Sequence, residues 1–170
     1  HIGNYFWSIQ SMLKFANENP DAEFFLFFAN MHGFTQVHSP EDMRNNSFMI
    51  LKTYIACGAD PKRFIMYNPA QIPAHAQLNW VLTCITHMWF MERMHSYKEA
   101  VDKWNAKEIS VWTFCYPILM AADILLYDAD CVPCGKDQKQ HVEYARDIAE
   151  KFNNKFWETF VLPEPFVDPS

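Results

Sequence analysis

Glu23-Phe24-Phe25-Leu26-Phe27-Phe28-Ala29 is a nearly continuous apolar run of strand length. Such a run marks a central strand covered on both faces, because a half-solvated strand would alternate polar and apolar residues. Arg63-Phe64-Ile65-Met66-Tyr67 and Asp130-Cys131-Val132-Pro133-Cys134 are two further short strands. The segments between them carry helical signals. Tyr5, Ile9, Met12, Leu13 and Ala16 follow helical spacing, which predicts a helix from about Gly3 to Asn17, closed by Asn19-Pro20-Asp21. Ser39-Pro40-Glu41-Asp42 combines a cap, a first-turn proline and acids, and predicts a helix that stops at Gly58. Pro73 opens another helix through about Met88, and Pro117 opens an apolar helix to about Tyr127. Trp89 to Thr113 reads as looser and charged, Lys136 to Phe152 as a strong amphipathic helix, and the proline-containing tail from Leu162 as loop. Helices alternating with buried strands argue for an α/β domain built on a parallel sheet. In such sheets ligands bind beyond the carboxyl ends of the strands.

The 170 residues suffice for one domain with a real core, and the balance of 50% hydrophobic to 20% charged residues is that of a globular chain. No apolar run approaches the roughly 20 residues of a membrane span. The longest, Ile118 to Tyr127, carries Asp123. The chain opens on His1 rather than Met, so its true beginning is expected to lie upstream. A net charge of −6 argues against a dedicated nucleic-acid-binding domain, though not against a contact made by another domain. The five cysteines are odd in number and lack a small-scaffold pattern, which fits reduced thiols in a cytosolic setting. Cys131-Val132-Pro133-Cys134 spells C-x-x-C, but a zinc site needs a second pair and there is none. A redox pair would need to sit at a helix start, which is possible here, but small buried apolar side chains are the expected role of these thiols.

Three constellations carry candidate chemistry. His1-Ile2-Gly3-Asn4 opens a helix, where free N–H groups and positive potential suit phosphate. His1 and Asn4 share a face, and Gly3 lets a flat base or ribose approach the backbone. Gly135-Lys136-Asp137-Gln138-Lys139-Gln140-His141 sits where a strand turns into a helix. Its polar groups point in every direction, more than a one-sided solvated face requires, so function and plain solvation both stay open there. Asp123 lies inside Leu119-Met120-Ala121-Ala122-Asp123-Ile124-Leu125-Leu126. A carboxylate among apolar residues must have a partner, because leaving it unpaired costs about 3–5 kcal/mol. That partner is either another side chain or a ligand.

Together, HIGN, Gln77-Leu78-Asn79-Trp80 after Pro73-Ala74-His75, the run YPILMAADILLYDAD from Tyr116 and VPCGKDQKQHVEYARDIAEKFN from Val132 resemble one family over nearly the whole chain: the bacterial-type tryptophanyl-tRNA synthetases. The resemblance implies a class I synthetase with a Rossmann-like parallel sheet and helices on both faces. Such enzymes join L-tryptophan to ATP, with Mg2+, to form tryptophanyl-adenylate, and then charge tRNA(Trp). By the same resemblance His1, Gly3 and Asn4 match the HIGH-type motif that holds ATP and its reacting phosphate, with His1 and Asn4 as the catalytic pair. Gly135, Lys136 and Asp137 match the nucleotide-binding segment. Asp123 matches the carboxylate that accepts the indole N–H. Tyr116, Met120, Ile124, Val132, Cys134, Gln138 and His32 match positions around the amino acid. No resident metal ligand is implied. The family is a cytoplasmic homodimer without membrane contact, and a helical region at about 77–115 would supply much of the interface, with Trp89 and Met91 covered by the partner or by the core.

The physical logic agrees: indole has a single polar handle, a donor, and a buried acceptor rewards it and penalises phenylalanine. A tyrosyl-tRNA synthetase and a non-catalytic binding module are the rival readings. GKDQKQH and MAADILLY speak against the first, HIGN and GKD against the second. The chain stops before the family's KMSKS loop and anticodon-binding domain, so alone it is expected to catalyse little. Asn30 stands where aspartate is common in the family, Lys136 where glutamate is, and Cys134 where valine is; all three look tolerable. Trp7, Trp89, Trp112 and Trp157 stand where the family usually has glycine, and the chain has 4 glycines against roughly 12 at ordinary usage. Rings there should force strain or overpacking. The expectation is that these four are UGA codons of a source that reads UGA as glycine; the alternative is natural divergence with compensating cavities. Sequencing the gene checks this, and UGG at the four positions ends it.

Overall fold

The computed structural model describes residues 5–34, 39–103 and 109–167. The chain forms two compact units: His1–Ile72 with Pro133–Gly135 and Val167–Ser170, and Pro73–Val132 with Lys136–Phe166.

The first unit opens with a π-helical turn, Tyr5–Gln10, that runs into α1 (Ser11–Glu18). Strand β1 (Phe24–Phe27) pairs in parallel with β2 (Phe64–Tyr67), Phe24 opposite Phe64 and Phe27 opposite Tyr67. Between the strands lie α2 (Asn30–Gly33) and α3 (Pro40–Ala56). The ends of α3 follow the local chemistry. The Ser39 hydroxyl accepts from the Asp42 N–H, and Pro40 occupies the first turn. At the other end Gly58 takes φ +108°, donates to the Ile55 carbonyl, and lets Ala59 N–H reach the Tyr54 carbonyl. That left-handed exit is open to glycine at no steric cost.

Ala16, Ala59 and Phe64 form the buried centre of this unit, with Met12, Leu13, Phe24, Leu26, Tyr54 and Met66 packed on it. The Arg63 guanidinium donates to the carbonyls of Ala22 and Asn19 and stacks 5.0 Å from the Phe24 ring centre, tying β2 to the carboxyl end of α1. The expectation of a strand covered on both faces is corrected. Phe25 and Ile65, opposite one another in the ladder, are exposed. Side chains alternate across a strand, so Phe24 and Leu26 face α1 and α3 while their neighbour faces out.

The second unit is mostly helical. It contains α4 (Ala74–Ile85), α5 (Met88–Glu92), α6 (His95–Lys103), α7 (Val111–Leu125) and α8 (Lys139–Lys155), with strand β3 (Cys131–Pro133) paired to β4 (Glu164–Phe166). α7 packs against both α4 and α8. Its seam is made of small residues, Ala121 and Ala122 on α7 and Ala145 and Ala149 on α8, all buried. Small side chains let the helix backbones approach closely.

Several boundaries differ from expectation. Pro117 lies inside α7 instead of opening it. An interior proline costs about 3 kcal/mol, and burial of Pro117, Ile118, Ala121, Ala122, Ile124 and Leu125 offsets it. The stretch read as loose holds α5 and α6, and the tail read as loop holds β4, whose Glu164 N–H bonds the Asp130 carbonyl. The helix from Lys136 begins with one 3-10 turn, Lys136–Gln138. Met91 is 2% exposed and belongs to this unit's own core. Trp89, Trp112 and Trp157 are exposed, and Asp128 is the lone non-glycine residue with positive φ among the described residues. The backbone strain expected at those rings is therefore absent; the Trp7 side chain lies outside what is described. No helix among the described residues is long and apolar enough to cross a membrane.

Candidate functional site

Tyr116, Met120 and Asp123 lie at i, i+4 and i+7 on α7, a spacing that places them on one stripe, and Tyr127 continues it just past the helix end. Asp123 is 3% exposed. Its Oδ1 lies 2.6 Å from His75 Nδ1 on α4, and the His75 Nε2 lies 3.1 Å from the Tyr127 hydroxyl. His75 itself is 0% exposed. The roles follow from the chemistry of the partners rather than from visible hydrogens. A carboxylate only accepts, so Nδ1 donates; in the neutral ring Nε2 then accepts the Tyr127 O–H.

Seven residues before Asp123 the pattern repeats. The Tyr116 hydroxyl lies 3.0 Å from Nε2 of buried His141, which α8 supplies. Each helix flanking α7 thus sends one histidine to one polar group of the stripe. Ile124 is buried beside Asp123, and Met120 and β3's Val132 are half-buried. The side-chain partner left open for Asp123 is a histidine.

The stretch from Gly135 to His141 separates into parts. Gly135 is exposed and groups with the first unit. Lys136 and Gln138 are exposed on the 3-10 turn that leads into α8; Asp137 lends its backbone to that turn, and its side chain lies outside the described residues. Lys139 Nζ pairs with Glu143 at 3.2 Å, and Gln140 Oε1 accepts the His95 N–H, so these two serve local structure. In the first unit, α2 leaves the carboxyl end of β1 and carries half-buried His32 and buried Asn30. The Asn30 amide donates to Asn68 Oδ1 just beyond β2. Cys134 is half-buried and also groups with this unit. His1, Gly3 and Asn4 lie outside the described residues.

Two thiols are held back from ionising. Burial pushes the Cys131 pKa up, and the neighbouring carboxylates of Asp130 and Glu164 push it further; burial alone raises Cys115. Because the thiolate is the reactive form, Cys131 is expected to alkylate with iodoacetamide more slowly than free cysteine at neutral pH, and to speed up as pH rises. Site-resolved mass spectrometry of the labelled protein measures this, and a rate matching free cysteine would contradict it.

Sequence reading gave no individual role to two residues that the geometry brings forward, His75 and His141. A histidine inside an apolar helical stretch, as in Pro73-Ala74-His75-Ala76, was the available signal. Its partner lies 48 residues away, beyond any local pattern.

A family model described as tRNA synthetases class I (W and Y) matches residues 1–169. The chain is 45% identical to a tryptophan–tRNA ligase of Neisseria meningitidis, over 99% of this chain and 52% of the relative. A tryptophanyl-tRNA synthetase of Campylobacter jejuni, solved in complex with ADP and tryptophan, superposes with a TM-score of 0.88 at 42% identity, covering 100% of this chain and 52% of that one. The enzyme of Mycoplasma pneumoniae gives 0.87 at 32% identity, covering 99% of this chain and 48% of that one. The chain spans about half the length of the relatives it matches.

Proposed function

The chain belongs to the class I tRNA synthetases of the tryptophan and tyrosine group, and from that membership we propose that its protein activates L-tryptophan with ATP to tryptophanyl-adenylate and transfers it to tRNA(Trp). The observation that carries the choice of amino acid is the Asp123 carboxylate, buried on the α7 stripe and oriented by His75. A carboxylate acceptor held among apolar residues suits the single donor of indole, and a phenylalanine side chain offers it no donor. Tyr116, Met120 and Ile124 on the same helix, with Val132 and Gln138, are proposed to contact tryptophan; Cys134 and His32 are assigned to it by the family resemblance alone.

The nucleotide falls to His1, Gly3 and Asn4 and to Gly135, Lys136 and Asp137. Exposed Lys136 on a helical turn is free to meet phosphate charge, and Mg2+ would arrive on the phosphates themselves, where it offsets developing charge. Adenylate formation asks the protein for alignment of carboxylate and α-phosphate more than for proton transfer. The working protein is a cytoplasmic homodimer in this reading, with the helical region at about 77–115 at the interface and a KMSKS loop and anticodon-binding domain completing it.

The test is pyrophosphate exchange into ATP by the protein expressed from its whole gene. Exchange that depends on tryptophan and not on tyrosine is expected. Exchange driven by tyrosine would move the chain to the other branch of the family. Tryptophan binding with no exchange would make it a non-catalytic module.

A further inference from the structure

We infer that His75 is a positioning residue for amino-acid selection: it fixes the Asp123 carboxylate in the plane and acceptor state in which it can take the indole N–H. The inference rests on the reading of Asp123 as the indole acceptor, and adds to it a residue that touches no substrate.

An aspartate carboxyl group turns easily about its last torsion, whose energy wells are broad. A ligand with one donor needs one oxygen lone pair at one place, and a freely turning acceptor would blur that. The 2.6 Å contact from His75 Nδ1 to Oδ1 sets the plane. His75 is in turn held by the Tyr127 hydroxyl at 3.1 Å from Nε2, and its ring centre lies 5.6 Å from that of Tyr127. The ring is fully buried on α4, so it has little room to swing away.

The direction of the hydrogen bonds matters as much as their geometry. Tyr127 O–H donates to Nε2, and Nδ1–H donates to Asp123, so the chain of donors ends on the carboxylate. With a donor facing it, Asp123 remains an acceptor. A protonated acid would lose acceptor sites and would require His75 to take the other tautomer, with Nδ1 accepting and Nε2–H donating to Tyr127. A plain structural pair would need only that the two groups satisfy each other. The specific claim is that the state His75 imposes on Asp123 is the one a donor ligand requires.

The experiment compares L-tryptophan with β-(benzothien-3-yl)alanine, a ring of the same shape with sulfur in place of N–H. Adenylate formation by the protein expressed from its whole gene is measured for both substrates. The wild type should prefer tryptophan strongly, since sites built to bond a substrate N–H reject the analogue lacking it by about 10⁴-fold. His75→Asn keeps an amide nitrogen near the place of Nδ1, whereas His75→Gln moves it toward Nε2. The expected result is a preference that falls at least ten-fold in His75→Gln, through the tryptophan value alone, and is largely restored in His75→Asn.

An unchanged ratio in both variants overturns the inference. So does an equal loss for both substrates, which is what a purely structural role would give. If His75→Gln does not fold, Tyr127→Phe takes its place. It removes the far end of the relay and should lower the ratio a few-fold; an unchanged ratio there overturns the inference. A wild type with no preference for tryptophan, or an Asp123→Ala variant that keeps it, would sink the reading of Asp123 itself and is told apart from a failure of His75 by that pattern.

Discussion

Asp123→Ala is expected to destabilise the fold by about 3–5 kcal/mol, the cost of breaking a buried pair by removing one member. The methyl group leaves His75 Nδ1–H pointing into an apolar space without its acceptor, in a ring that is 0% exposed. For a domain of this length that corresponds to a melting temperature lower by roughly 6–20 °C. Differential scanning calorimetry or urea unfolding measures it, and a change under about 1 kcal/mol would show that the pair is not an energetic unit. Function should fall as well. Losing a hydrogen bond to a charged acceptor removes about 1.5–3 kcal/mol, roughly 10- to 150-fold in tryptophan affinity. Asp123→Asn separates the two effects, because it keeps the shape and one acceptor oxygen. It should recover part of the stability and less of the tryptophan selectivity.

The same residue shows how far sequence reading reaches. That Asp123 is buried and paired was legible, because Leu119 through Leu126 leave no polar neighbour for it on the helix. That the partner is His75 was not, because it lies 48 positions away with α5 and α6 in between, and no periodicity reveals how α4 packs on α7. The same divide separates the elements. β1 and β2 were legible to within about two residues from Phe24-Phe25-Leu26-Phe27 and Phe64-Ile65-Met66-Tyr67, since apolar runs between polar turns are local signals. The cap at Ser39 and the exit at Gly58 are local too, and both appear where the residues place them.

Pro117 misled because its local preference to open a helix was overridden by burial along α7. β4 was invisible because its one partner, β3, lies some thirty residues upstream and three prolines dominate the tail's composition. The residues of His1-Ile2-Gly3-Asn4 pointed only to a helix start suited to phosphate; the catalytic roles of His1 and Asn4 came from family resemblance. Four residues at a chain start hold too little pattern for anything else.

Leu82→Ala is expected to cost about 2–5 kcal/mol, the range for emptying a fully buried leucine site. Leu82 is 0% exposed on α4, and it lies seven residues after His75, two turns along the same face. That face packs against α7, so Leu82 anchors the helix that delivers His75 to Asp123. The two substitutions on α4 should therefore part in their readouts. Leu82→Ala removes van der Waals contacts and leaves every hydrogen bond of the Tyr127–His75–Asp123 relay with its donors and acceptors in place. Chemical denaturation should report the full stability loss, while the preference for tryptophan over an analogue lacking the N–H stays within a few-fold of wild type. A collapse of that preference in Leu82→Ala would mean that the relay depends on sub-ångström packing of α4 on α7 rather than on its own hydrogen bonds. Retained stability would mean that the cavity closes, with α4 shifting against α7.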